Sequence, residues 1–223
     1  MKDIDLGEPR PRGEPQSVVP LVWRVDREQV LAIPESLPKR LDEVIEARHS
    51  SRTFKPIRPQ QISTLLWYSS GVRSAITQGS NCSHRPTPSA GGMHPVHILV
   101  QPPDQLALAH YDAYRHVLCW LAVDENAVAE VRRTACEFMN VDNATIILFA
   151  AEAALTMARY EDPLSLVWRD SGALQGQFGL VASGSGLAFC LLGTTSDAWL
   201  VALFGPSQSG LIGTGAALVG ASD

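Results

Sequence analysis

From Thr145 to Ala151 the chain runs Thr-Ile-Ile-Leu-Phe-Ala-Ala, an apolar stretch bounded by polar positions. A strand with one wet face alternates polar and apolar side chains, because successive Cβ atoms point to opposite sides of the sheet. A run without alternation belongs to a strand buried on both faces. The chain therefore has to supply covering layers on both sides of a sheet that contains this segment.

The remaining patterns provide them. Strands are expected at 96–101, 107–112 and 115–121, the last two forming a hairpin around Asp112-Ala113-Tyr114. Leu41, Val44 and Ile45 mark one or two helical turns. A second helix begins at Pro59, a residue suited to a first turn, turns Ile62, Leu65, Leu66 and Ser69 inward, and stops at Gly71. From Asp124, a capping residue, Val128, Val131, Ala135, Phe138 and Met139 keep a helical period. A long helix is expected over 165–183, a last helix over 197–204 and a short strand over 215–220. Within the long helix Gly172 and Gly176 each cost about 1 kcal/mol against alanine, a cost tolerated where a second backbone or a ligand must come close. Residues 72–84 read as a polar loop. The sum is an α+β fold, a mostly antiparallel sheet flanked by helices.

Residues 1–37 contain Pro9, Pro11, Pro15, Pro20 and Pro34, too many for a helix. They read as an extended N-terminal arm, with one edge strand over Val18–Val25, ahead of a folded domain over 38–223. The net charge of −5 gives no bulk electrostatic case for nucleic acid. No Lys or Arg occurs after Arg169, so positions 170–223 suit burial against another subunit better than solvation. No apolar run approaches the ~20 residues that cross a bilayer, and the first residues lack the apolar stretch of a secretory signal; a cytoplasmic protein is the expectation. Cys82, Cys119, Cys136 and Cys190 have no metal-ligand spacing. They read as reduced, buried small residues, Cys119 in a strand and Cys136 and Cys190 in helical context, with loop residue Cys82 the one to test for reactivity. His94 and His97 lack further ligands at suitable spacing, so no metal is expected.

Two segments carry chemistry. In Arg48-His49-Ser50-Ser51-Arg52-Thr53-Phe54, an extended backbone would turn Arg48, Ser50 and Arg52 the same way. Two guanidinium forks with a hydroxyl between them make a phosphate cradle; a solvated basic turn is the alternative. In Arg85-Pro86-Thr87-Pro88-Ser89-Ala90-Gly91-Gly92-Met93-His94-Pro95, small residues between prolines let backbone approach a flat ligand closely.

These segments in order, followed by Arg159-Tyr160 and by Trp168 to Gln175, resemble the FMN-dependent nitroreductase superfamily. The wording of Pro88 to Pro95 is similar to its azoline dehydrogenase branch, of the streptolysin S type. The resemblance runs from about Leu41 to the C-terminus. It implies an intertwined homodimer with FMN in the subunit interface. Arg48, His49, Ser50 and Arg52 would hold the phosphate and ribityl hydroxyls. Pro88, Ser89, Ala90, Gly91 and Gly92 of the other subunit would lie along the ring. Gln175 is carried over from the helix motif, and Leu192-Gly193-Thr194 falls where backbone amides approach flavin N5, although an ordinary loop explains that segment equally well.

The sequence departs from that pattern twice. It ends without the basic residue that many members direct at the phosphate, leaving Arg48 and Arg52, with Arg85 as a possible third cation. The branch's Lys-Tyr pair is here Arg159-Tyr160. Arginine stays protonated and cannot act as a base, so the proton would pass to Tyr160, with the Arg159 cation favouring its loss. The implied activity is FMN-dependent dehydrogenation of a thiazoline or oxazoline to an azole in a peptide natural product, in company with a cyclodehydratase. Alternatives are an NAD(P)H-dependent nitro, quinone or enone reductase, or a scaffold subunit of a peptide-modifying complex.

Overall fold

The computed structural model describes residues 6–75, 82–205 and 210–222. In chain order its strands are β1 (Arg10–Pro11), β2 (Val25–Val30), β3 (Ser74–Ala75), β4 (Ser83–His84), β5 (Val96–Gln101), β6 (Ala109–Asp112), β7 (Val117–Leu121), β8 (Thr145–Glu152), β9 (Tyr160–Glu161), β10 (Leu187–Leu192) and β11 (Leu211–Ala221). The helices are α1 (Leu41–Ala47), α2 (Pro59–Ser70), α3 (Glu125–Ala135), α4 (Ala153–Met157), α5 (Leu164–Gly184) and α6 (Asp197–Phe204).

Seven strands form one antiparallel sheet in the order β10-β11-β8-β5-β6-β7-β2. Strand β8 lies inside it, every residue buried. Its Ile147, Phe149 and Ala151 join a core with Leu65 and Leu66 of α2 and Val167, Leu174 and Phe178 of α5. Its Ile146, Leu148 and Ala150 join a second core with Val128 and Val131 of α3 and Trp199, Leu200 and Leu203 of α6. The unalternating run thus serves two cores at once, one on each face. Pro59 opens α2, and Gly71 ends it because a Cβ there would stand 2.6 Å from the Trp67 ring. The Asp124 carboxylate accepts from the Asn126 amide at 2.9 Å and caps α3.

Several boundaries differ from expectation. The edge strand is Val25–Val30 and not Val18–Val25; it is the later segment that pairs with β7. Helix α3 ends at Ala135, leaving Phe138 exposed. Strand β11 begins at Leu211, four residues early, its pairing with β8 carried through a bulge between Gly213 and Gly215. Cys190 lies in a strand and Cys136 is exposed, whereas Cys82 is buried with its Sγ 3.5 Å from Met93 Sδ. Within the expected polar loop, 76–81 lie outside the described residues, and the flanking β3 and β4 pair antiparallel.

Candidate functional site

Helix α1 ends at Ala47, and Arg48 turns the chain into extended backbone (φ −64°, ψ 119°). The segment that follows is tied to the sheet. The Ser51 amide donates to the Phe189 carbonyl of β10 at 2.9 Å, and Lys55 exchanges two backbone bonds with Ala221 of β11. A Cβ at Gly220 would come within 2.6 Å of the Lys55 carbonyl oxygen, so glycine is needed for this approach. Arg48, His49, Ser50 and Arg52 are all exposed on the tethered segment. Among the described residues neither Arg48 nor Arg52 has a side-chain partner, so both forks remain available to an anion.

The small-residue loop is held from below. Ser89 Oγ donates to Asp170 Oδ2 at 2.5 Å, the Ala90 amide donates to the same carboxylate at 3.1 and 3.2 Å, and the His94 amide donates to Ser89 Oγ at 2.8 Å. Gly91 and Gly92 follow with φ of 61° and 66°, a left-handed region that favours glycine. Asp170, on α5, is the residue that sequence reasoning missed; it stood in the Trp168–Gln175 motif, but nothing in a helical carboxylate announces which loop it will hold. Burial raises its pKa, opposed by the Ser89 and Ala90 hydrogen bonds. The Ser89 hydroxyl and Ala90 amide are therefore directed inward, and the outward surface of the loop is made by Pro88, Gly91 and Gly92.

Tyr160 reaches this loop. A Cβ added at Gly91 would stand 3.2 Å from the Tyr160 hydroxyl oxygen. Tyr160 stands opposite Pro11 in the β1–β9 pair, so strand alternation puts Glu161 on the other face. Arg159 lies in the turn between α4 and β9, its amide donating to the Thr156 carbonyl at 3.0 Å. Gln175 is engaged internally, donating from Nε2 to Ser171 Oγ and to the Thr214 carbonyl, each at 2.9 Å. Leu192 is part of the α3–α6 core, and Gly193 is exposed just after β10. Arg85 donates to Ser83 Oγ at 3.0 Å and Ser70 Oγ at 3.4 Å and covers the Tyr114 ring. It is packed beside the small-residue loop and not beside Arg48.

The two parts of the site lie at opposite ends of α5. Asp170 near its start holds the small-residue loop, whereas Ser183 near its end donates to the Val44 carbonyl of α1 at 3.2 Å. The thirteen steps from 170 to 183 span roughly 20 Å of helix. Between these ends Gly172 and Gly176 face outward, with nothing among the described residues within 4 Å of a Cβ placed on either.

A buried polar chain lies under the arm. His110 Nε2 and His97 Nδ1 are 3.1 Å apart, and His97 Nε2 and Glu152 Oε2 are 3.0 Å apart. Glu152 Oε1 accepts from the Leu21 amide at 2.9 Å, and the Trp23 ring stacks on His110 at 4.9 Å. With Glu152 ionised, one proton order satisfies the chain: His110 donates to His97, and His97 donates to the carboxylate. Burial, with His97 beside it, pushes His110 down to about 3; burial, with Arg85 nearby, pushes His94 down to about 4. Both are neutral in the fold near pH 5 and protonated once unfolded. Depressed histidine values make stability fall as pH drops from 6.5 towards 4, by about 1.4 kcal/mol per pH unit for each group. Burial lowers His116 as well, so urea denaturation at pH 7.5, 6, 5 and 4.5 is expected to show uptake of at least about two protons on unfolding near pH 5; a pH-independent midpoint would contradict the buried neutral histidines.

No helix among the described residues is long and apolar enough to cross a membrane. Among curated proteins none matches this chain. Solved structures with the same architecture include a putative nitroreductase from Ralstonia eutropha, 20% identical, with 94% of this chain and 98% of that chain covered at a TM-score of 0.71. A putative nitroreductase from Anabaena variabilis is 22% identical, with 72% of this chain and 34% of that chain covered at 0.60. A chain of the E. coli microcin synthetase McbBCD complex with truncated pro-MccB17 bound is 14% identical, with 92% and 79% covered at 0.64. These likenesses establish the fold. The family model described as "Nitroreductase family" matches residues 45–215, from within α1 through the bulge of β11, a span that includes Arg48, Arg52, the small-residue loop, Tyr160 and Asp170. The chain belongs to the nitroreductase family.

Proposed function

We propose that this nitroreductase-family oxidoreductase binds FMN in a homodimer and dehydrogenates a thiazoline or oxazoline in a peptide to the corresponding azole. In this reading residues 38–223 form the FMN-binding domain and residues 1–37 an extension of it. The observation that carries the reading is Tyr160, whose hydroxyl adjoins Gly91 of the small-residue loop. The tethered Arg48 and Arg52 fit a phosphate, since both are exposed cations without internal partners among the described residues. The loop fits a ring on its glycine surface, where a side chain at Gly91 would be strained by φ and crowded by Tyr160. The two features stand at opposite ends of α5, so the loop of one protomer and the arginines of its partner complete one site. The outward glycines Gly172 and Gly176 support that pairing, because nothing among the described residues requires them.

FMN, when bound, would supply the hydride acceptor, with dioxygen as the final oxidant. Tyr160 would take the proton that leaves with the hydride, and the loop would hold the reacting ring beside it. The microcin synthetase neighbour, a complex with truncated pro-MccB17 bound, supports a place in a synthetase complex; a cyclodehydratase as the partner comes from the sequence resemblance alone.

The purified protein is expected to be yellow, at about one flavin per chain. Arg48→Ala is expected to weaken FMN binding at least tenfold, on the scale of about 1.5–3 kcal/mol for a hydrogen bond to a charged group. Arg52→Ala should do likewise, with less than additive effects because one ligand is shared. Wild-type FMN affinity in Arg48→Ala would return the segment to a solvated turn. Anaerobic addition of an azoline peptide should bleach the flavin, and NAD(P)H should not. Rapid bleaching by NAD(P)H alone would favour the reductase reading, and a colourless protein that takes up no FMN would favour the scaffold.

A further inference from the structure

Residues 7–16 of the arm are attached to the segment 157–162, which includes Tyr160. Arg10 pairs with Glu161 and Pro11 with Tyr160, and these two strands form a sheet of their own. The pairing extends beyond them: the Arg12 amide donates to the Arg159 carbonyl at 2.8 Å and the Gln16 amide to the Ala158 carbonyl at 2.8 Å. At the other end a Cβ at Gly7 (φ 71°) would lie 2.7 Å from the Asp162 Cβ, so glycine permits that contact. Arg12 then joins both ends of the segment. Its Nε donates to the Met157 carbonyl at 2.9 Å, and its Nη1 lies 3.3 Å from Glu161 Oε1.

A two-stranded ribbon is marginal in water, and each strand here has two residues. Tyr160 is in neither large core. The ribbon carries the phenol, and Arg12 bonds to both ends of the segment that includes it. We infer that Arg12 is a positioning residue, through which the N-terminal arm holds Tyr160 against the small-residue loop. The inference rests on the reading of Tyr160 as the base; Arg12 itself touches backbone and Glu161 on the face opposite the phenol. A misplacement of about 1 Å is enough to cost on the order of 100-fold in rate.

The test uses full-length protein loaded with FMN and 3-fluorotyrosine at its four tyrosines. Tyr160→Phe identifies the Tyr160 signal in the ¹⁹F NMR spectrum. Arg12→Ala is expected to move or broaden that signal, to leave those of Tyr68, Tyr111 and Tyr114 in place, and to keep FMN affinity. Flavin reduction by an azoline peptide should slow about 100-fold in kcat with a smaller change in KM. Arg12→Lys retains the charge facing Glu161 but cannot make both contacts, and should fall between. An unmoved Tyr160 signal in Arg12→Ala overturns the inference. If alanine moves all four signals, the lysine variant decides by the same readings. Wild-type turnover in Tyr160→Phe would remove the base while leaving the NMR result to judge the positioning.

Discussion

Tyr160→Phe is expected to retain FMN and the fold while slowing substrate-dependent flavin reduction by at least about 100-fold, the lower end of what a positioned acid or base contributes. Phenylalanine fills the same space against Gly91 but has no proton to exchange. Arg159→Lys gives the contrasting measurement. Arg159 lies in the turn just before β9. If Arg159 is only a cation in this position, lysine should preserve turnover. If its fork grips an anionic substrate group, lysine should raise KM, since a point charge cannot reproduce two parallel hydrogen bonds. Single-turnover reduction by an azoline peptide, followed for wild type and both variants, separates these outcomes. Wild-type rates in Tyr160→Phe would exclude the tyrosine as base.

Gly176→Leu is expected to yield a monomer that has lost its flavin. In an isolated chain the substitution should be harmless or stabilising: the position is an exposed helix interior with no neighbour among the described residues within 4 Å of a Cβ, where glycine costs about 1 kcal/mol against alanine. The opposite result follows if a second α5 packs on this face, because a leucine would hold the two backbones apart. With the loop and the arginines roughly 20 Å apart along one helix, separated protomers would each retain half of a flavin site. Sedimentation velocity together with the ratio of flavin to protein checks both consequences. A yellow, more stable Gly176→Leu dimer would remove α5 from the interface.

Local chemistry was legible in the chain itself. The unalternating run from Thr145 to Ala151 implied a strand between two cores, and Pro59, Gly71 and Asp124 marked helix ends through properties of single residues. The basic segment after α1 and the glycines after Ser89 were recognisable because their chemistry resides in residues a few positions apart. The edge strand was misplaced because Val18–Val25 and Val25–Val30 have comparable propensities, and only pairing with β7 selects between them. Cys190 read as helical for the same reason: apolar neighbours suit a helix or a strand, and the partner β11 made it a strand.

The contacts that organise the site had no local signal. Asp170 holds Ser89 from 81 positions away and Arg12 reaches Met157 across 145 positions. A carboxylate on a helix or an arginine in a proline-rich arm states its charge but not its partner. Arg159 and Tyr160, neighbours in the sequence, fell on either side of an element boundary, one in the turn after α4 and the other in β9. The residue types and their short-range spacing thus determined the elements and the family's chemistry. Which groups face one another was decided by tertiary structure, because a hydrogen bond a few ångströms long depends on where the backbone has been carried and not on distance along the chain.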